Sequence, residues 1–308
     1  MPTLARDLSL LVVLAVMWSS SFTVIKVGVE TIPPVTLALL RVAIGAVILY
    51  AWLRLKGFRL PTEPRLWWSF FLIGTIGNAF PFTLINWGEQ AIPSGLAVIV
   101  IATMPLAALV LGRIFSDEIL NVRRLVGVLI GFAGVVVLIG PSELLALGDQ
   151  ALRQLAVATA GVCYAIAGIL VRKLPTAKPL EHGTGVLIAS VVVLLPAALT
   201  AEQPWTVEVN AETVWVSLYL GVFPTAIATI LLIIVIASRG VTFLALNNYL
   251  IPLMGVLWGY LFLGETVGND QLIALALIFA GIAVAGIGPA TRKDVDKRVG
   301  DKQAEKTV

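Results

Sequence analysis

Ten apolar runs, each long enough to cross a bilayer, leave this chain little freedom in what it can fold into. They span roughly 7–28, 34–54, 66–87, 93–115, 123–140, 151–172, 181–200, 212–237, 241–263 and 269–288. About 20 apolar residues in a helix cover the ~30 Å of hydrocarbon in a membrane. Hydrocarbon offers no partner to a bare peptide group, so each run must close its hydrogen bonds within itself, as a helix. Composition agrees: 59% of the residues are hydrophobic and 13% charged, against ~25% charged in an ordinary soluble domain. The first run continues to Val29 without a small-residue cleavage pattern and reads as a membrane helix, not a cleavable signal. The sequence therefore predicts an all-α membrane protein.

The stretch Pro105 to Gly140 recurs, altered, from Pro252 to Ile287. A shift of 147 residues superposes Pro105 on Pro252, Gly112 on Gly259, Phe115 on Phe262, Glu118 on Glu265 and Phe132-Ala133-Gly134 on Phe279-Ala280-Gly281, ten identities in 36 ungapped positions. Such self-similarity marks a duplicated unit. If the amino terminus is cytoplasmic, 18 of the 21 Lys and Arg residues fall in inside segments, and the outer loops carry none. The excess of positive charge inside sets the orientation and puts both termini in the cytoplasm. Five spans per unit is an odd number, so the second copy enters the membrane upside down. The expected architecture is ten transmembrane helices in two inverted five-helix repeats, 7–140 and 151–288, followed by a charged cytoplasmic tail, 289–308. Inverted repeats suit a transporter that exchanges two mirror-related states about a central site.

Trp18-Ser19-Ser20-Ser21-Phe22 in the first helix, Leu40-Arg41 in the second, Pro105 with the helix end from Phe115 to Glu118, Leu261-Phe262-Leu263-Gly264-Glu265, and the Gly-rich helices at Gly127–Gly140 and Phe279–Gly288 make the chain resemble a known family. It is similar to the ten-helix, EamA-type members of the drug/metabolite transporter superfamily. In the first copy Ser116-Asp117 stands where that pattern has Leu-Gly before the Glu. The resemblance implies one permease built from two five-helix repeats, with the fifth and tenth helices leaning together. The length and the aromatic-rich first, third and sixth helices look most like exporters of amino acids, including aromatic ones.

Polar side chains inside the spans are scarce and therefore informative. The expected substrate pathway comprises Trp18, Ser20 and Ser21; Asn78, Phe82 and Asn86, four residues apart on one helix face; Thr103; Tyr164; Thr225; and Asn247, Asn248 and Tyr249. Asn and Ser can bind both ends of a zwitterion without carrying charge, and Trp and Tyr supply an apolar wall with a polar tip. Pro81, Pro105, Pro224 and Pro252 each remove a backbone donor within a span, Pro105 and Pro252 freeing the carbonyls of Ile101 and Asn248. They are expected to kink helices and act in gating. Arg41, about seven residues into its span, is either a contact for a substrate carboxylate or half of a structural ion pair. Gly127, Gly131 and Gly134 read as close-packing positions.

The absences narrow the function. One Cys, Cys163, and one His, His182, lie apart, which leaves no disulfide framework and no metal set, and no cofactor is implied. A net charge of +3, with the basic residues in loops, gives no nucleic-acid signal. No paired acids or nucleophile with a base stand at membrane depth, so the chain is not expected to be an intramembrane enzyme. No Asp or Glu lies mid-span. Proton-coupled carriers commonly use such a group, so a facilitator driven by the substrate's own gradient is expected. Glu89, Glu118 and Glu265 read as solvated helix ends or partners of Arg113. The sequence thus predicts a plasma-membrane exporter of small zwitterionic metabolites, amino acids first, working by alternating access with a monomer sufficing for a pathway; the alternative is a carrier of drugs or other metabolites.

Overall fold

The computed structural model describes residues 4–115, 122–139 and 148–286. All regular structure among them is helical. In chain order the helices are α1 (Leu4–Gly28), α2 (Pro34–Leu55), α3 (Pro64–Gly74), α4 (Phe80–Glu89), α5 (Ser94–Ile101), α6 (Met104–Phe115), α7 (Val122–Ile139), α8 (Asp149–Lys173), α9 (Pro179–Ala201), α10 (Ala211–Gly221), α11 (Ala228–Leu244), α12 (Asn247–Leu263) and α13 (Asn269–Gly286). Among the described residues seven rods are long and apolar enough to cross a membrane by length and composition, and Leu125–Leu138 and Asn269–Val284 are shorter apolar helices. Ser116-Asp117, Glu118 and the tail lie outside the described residues.

Local chemistry starts and stops these rods. Pro34, Pro64 and Pro179 occupy first-turn positions, where the missing N–H would be unpaired in any case. Asn210 and Thr213 form a reciprocal capping box at the start of α10, at 2.9 and 3.0 Å. At the end of α12, Gly264 takes a left-handed conformation (φ 65°), and the Glu265 N–H turns back to the Gly259 carbonyl at 3.1 Å. Leu263-Gly264-Glu265 is thus a helix stop that throws Glu265 sideways.

The proline-bearing runs are interrupted in different ways. The third and eighth continue through single turns of π-helix, Thr75–Ala79 and Val222–Ile227. Those turns coincide under the 147-residue shift, although Pro81 and Pro224 do not. The fourth run breaks at Ala102 and Thr103, leaving Pro105 second in α6. In the ninth, Gly240 (φ 80°) and the turn at Ala245-Leu246 precede α12, which carries Pro252 inside a continuous helix.

Helix α7 packs along α13, α2 along α9, and α5 against α12. Helix α1 lies on α12, α10 and α11, as α8 lies on α5, α6 and α4, so the packing repeats itself when the two halves are exchanged. The α7–α13 contact depends on glycine: a methyl group on Gly281 would sit 2.6 Å from the Gly127 carbonyl oxygen, and one on Gly134 2.9 Å from that of Ala274. The largest buried cluster joins Phe22 to Ile32 with Ile85, Ile92 to Leu106 and Val216 to Leu220, filling the bundle near the 29–33 and 90–93 connections. Away from that end the centre is hollow.

Candidate functional site

A cavity of about 540 Å³ lies between α1, α2, α4, the α5–α6 break, α8, α9, the second π-turn with α11, and α12. It runs from Ile25, Ile85 and Val98, which are 1%, 3% and 0% exposed, to half-buried His182 and exposed Ala245. The hollow is therefore closed at the end bearing the 29–33 and 90–93 connections and opens toward the connections at 174–178 and 245–246.

Its one cationic side chain among the described lining residues, Arg41, is held by a chain of consequences that begins at a proline. Pro224 has no N–H to give the Leu220 carbonyl four residues earlier. The Thr225 hydroxyl donates to that carbonyl instead, at 2.7 Å, and its oxygen accepts the Arg41 Nε–H at 2.9 Å. The Phe82 ring lies against the guanidinium face, 3.9 Å from Cζ to centroid, an attractive placement for a cation. Arg41 is only 5% exposed and forms no ion pair among the described residues. No Asp or Glu is among the described residues that line the cavity.

Of the residues the sequence nominates, Trp18, Ser21, Asn78, Phe82, Tyr164, Thr225, Asn247 and Asn248 line the cavity, together with Pro224 and Pro252. Ser21 bonds back to the Trp18 carbonyl at 2.6 Å, and Asn78 Nδ2 donates to Ser190 Oγ at 3.2 Å. Asn247 is 2% exposed, yet neither of its amide atoms has a partner among the described residues. The others stand elsewhere. Ser20 meets the Tyr219 hydroxyl at 2.8 Å, Thr103 bonds to the Val100 carbonyl at 2.7 Å, and Tyr249 packs on Phe279 with ring centroids 5.6 Å apart. Asn86, two turns beyond Asn78, is past the seal, donating to the Pro34 carbonyl at 2.8 Å. Pro81 and Pro105 do not reach the cavity.

Charged helix-end groups lace the closed end. The Glu265 carboxylate accepts from the Ser94 and Gly95 amides at 2.7 and 2.9 Å, capping α5. Glu202 caps α2 through the Val35 and Thr36 amides at 2.9 and 2.7 Å and the Thr36 hydroxyl at 2.9 Å. Lys26 Nζ donates to the carbonyls of Glu89 and Ile92 at 2.7 and 3.0 Å. Carboxylates at helix amino termini and an ammonium near a carboxyl terminus each complement the helix dipole. Glu265 is therefore not the solvated helix end expected from sequence, and neither is Glu89, which is fully buried. Both were obscured because each sits one turn from a loop in sequence but under a neighbouring helix in space.

A family model described as the EamA-like transporter family matches residues 7–140 and again 152–287. The chain belongs to the EamA-like transporter family. It is a multi-pass membrane transporter and not an enzyme. The protein is 27% identical over 279 residues to YedA of Escherichia coli K12, named an inner membrane transporter, covering 89% of each chain. It is 26% identical over 304 residues, 96% of each chain, to a probable terminal-alkyne amino-acid exporter of Streptantibioticus cattleyicolor. A crystal structure of a protein 22% identical in sequence, covering 91% of this chain and 96% of that one, superposes with a TM-score of 0.64, which establishes the shared fold.

The cavity of this EamA-family chain is also lined by residues outside the expected pathway, among them Phe22, Met104, His182 and Thr229. Phe22 and Met104 carry no signal that separates lining from core. His182 had one, as the lone histidine at the start of a span, and Thr229 another, one turn from Thr225 on the same face. No group of three His, Cys, Asp or Glu able to hold a metal occurs among the described residues. What the arrangement offers a small molecule is one fixed cation, several neutral amides and hydroxyls, and aromatic walls.

Proposed function

We propose that the protein exports small zwitterionic metabolites, amino acids including aromatic ones, across the plasma membrane. It does so by alternating access between two inverted five-helix repeats making ten crossings, both termini being cytoplasmic. The observation that carries this reading is the make-up of the cavity: among its described lining residues a single fixed cation, no Asp or Glu, neutral amides and aromatic rings. A cationic drug would meet Arg41 with nothing to balance its own charge. A zwitterion brings a carboxylate for the cation and an ammonium for the amide oxygens. The exchange symmetry of the packing supports the inverted relation, and the printed name of the Streptantibioticus relative supports amino-acid export. With the positive residues inside, the laced end faces out and this conformer is open to the cytoplasm. With no Asp or Glu among the described lining residues, the transporter runs on the substrate's own gradient.

Proteoliposomes test it directly. Labelled phenylalanine, threonine and glutamate are offered with and without a pH gradient. Uptake of an amino acid that the pH gradient leaves unchanged is the expected result. Movement of a cationic dye in place of every amino acid would sink the substrate assignment, and accumulation driven by the proton gradient alone would sink the facilitator.

A further inference from the structure

We propose that Arg41 receives the carboxylate of the substrate through its two terminal nitrogens, and that the Asn247 amide oxygen takes the ammonium. The inference rests on the amino-acid reading above and sharpens it: the site recognises a carboxylate first and an amino group second.

An arginine in a membrane span is costly unless its charge is met, and in proteins it stays protonated. The protein meets only part of this one. Nε is engaged by Thr225 Oγ1 at 2.9 Å, and one face of the guanidinium is covered by Phe82 at 3.9 Å. Those two contacts fix the plane and direction of the fork but leave its outer edge, Nη1 and Nη2, without a hydrogen-bond partner among the described residues, on a side chain that lines the cavity. That edge is the part of an arginine that pairs with a carboxylate through two parallel N–H···O bonds. A merely structural arginine would have its fork filled by a helix-end carboxylate or carbonyls. Here the helix-end carboxylates Glu202 and Glu265 are committed to backbone amides, and Glu89, buried with neither carboxylate oxygen hydrogen-bonded among the described residues, forms no ion pair with Arg41. The site is also single. The 147-residue shift brings Ile188 to the place of Arg41, so the second half supplies no matching cation.

Asn247 supplies an independent sign of a missing ligand. It is 2% exposed, lines the same cavity, and neither its oxygen nor its nitrogen has a partner among the described residues. Buried amides are ordinarily paired, so one left open beside a cavity is a contact waiting for an occupant. Its oxygen is an acceptor suited to an ammonium.

The test is counterflow of labelled phenylalanine in proteoliposomes of the full chain, with four unlabelled competitors: phenylalanine, 3-phenylpropionate, phenylalaninamide and phenethylamine. The first two, which keep the carboxylate, compete; the amide and the amine are weaker by about tenfold to a hundredfold, the worth of a charge-assisted pair. Equal competition by phenethylamine overturns the assignment without any variant being made. Arg41→Gln loses phenylalanine and phenylpropionate alike, while its melting temperature in detergent reports whether it folds; a folded Arg41→Gln with wild-type affinity also overturns it. Asn247→Leu weakens phenylalanine and spares phenylpropionate; an equal loss of both removes Asn247 from the ammonium role. Two further results separate this inference from the functional reading. If the wild type moves small carboxylates but no amino acid, and Arg41→Gln loses them, the amino-acid reading falls and the Arg41 assignment stands. If it moves only a cationic dye, both fall.

Discussion

The two ends of the cavity are made by related helices, yet the charged ties described at them differ. At the end near the 90–93 connection, Glu202 and Glu265 reach across from the second half of the chain to cap α2 and α5 of the first, and Lys26 ties α1 to the connection after α4. At the open end, the shift that carries one half onto the other brings Leu55 to the place of Glu202. The tie described there, Asp7 with Ser238 and Arg239 at 2.9 and 2.6 Å, joins α1 to α11, which already pack together. Duplication copies the apolar faces that make helices pack. It copies the acids at the helix ends only in part: Glu265 has its counterpart in Glu118, which lies outside the described residues, whereas Glu202 has none, and there the two ends diverge.

That contrast can be broken. Removing both acids, Glu202→Ala with Glu265→Ala, abolishes hydrogen bonds accepted by ionised groups, worth roughly 1.5–3 kcal/mol each. The laced end is then expected to open. A cysteine at Val98, a fully buried position, in a Cys163→Ser background reports it: labelling by a membrane-impermeant maleimide added on the side of the laced end should rise by more than about tenfold. Unchanged labelling would mean that apolar packing alone holds this end.

A gentler perturbation acts through a glycine. A methyl group on Gly259 would collide with the Glu265 carboxylate and lie 3.1 Å from Ser94 Oγ. Gly259→Ala is expected to cost about 1–3 kcal/mol through overpacking and to raise the same labelling less than the double removal. Adding Glu265→Ala to it should cost less than the sum of the two changes, since the clash and the tie are one feature. Additivity would place the effect of Gly259 elsewhere.

Asn86 divides seal from site. Asn86→Leu forfeits one 2.8 Å bond to the Pro34 carbonyl, about 1 kcal/mol. It should raise labelling slightly and leave substrate affinity as it was; a loss of affinity would bring Asn86 back into the pathway. The smallest effect is expected at Gly168, where an added methyl meets nothing within 4 Å. Gly168→Ala should leave labelling unchanged and raise helix stability by up to about 1 kcal/mol, seen as an equal or higher melting temperature.

Much of the fold was legible because lipid makes local sequence decisive. The apolar runs, their proline starts and the stop at Gly264 follow from rules that act over a few residues. The candidate site was legible as an inventory only. Asn247, Asn248 and Tyr249 are consecutive, but a turn of 100° per residue sends Tyr249 to Phe279 while its neighbours line the cavity. The prolines were visible, yet their outcomes differ: a break before Pro105, a continuous helix through Pro252, and a π-turn holding Pro224. At Pro224 the Thr225 hydroxyl takes up the carbonyl of Leu220, a contact that no local rule predicts.

By itself the sequence determined the solvent, the helices and the short stock of polar side chains available at membrane depth, all properties of residues near one another in the chain, and the repeat, which a comparison of the chain with itself reveals. Tertiary structure decided which of those side chains share one space. Arg41 and Thr225 are 184 residues apart, and Glu265 and Ser94 are 171 apart. Contacts of that kind depend on where whole helices cross, and the crossing is set by close-packed glycines and apolar ridges that carry no mark of the function they position.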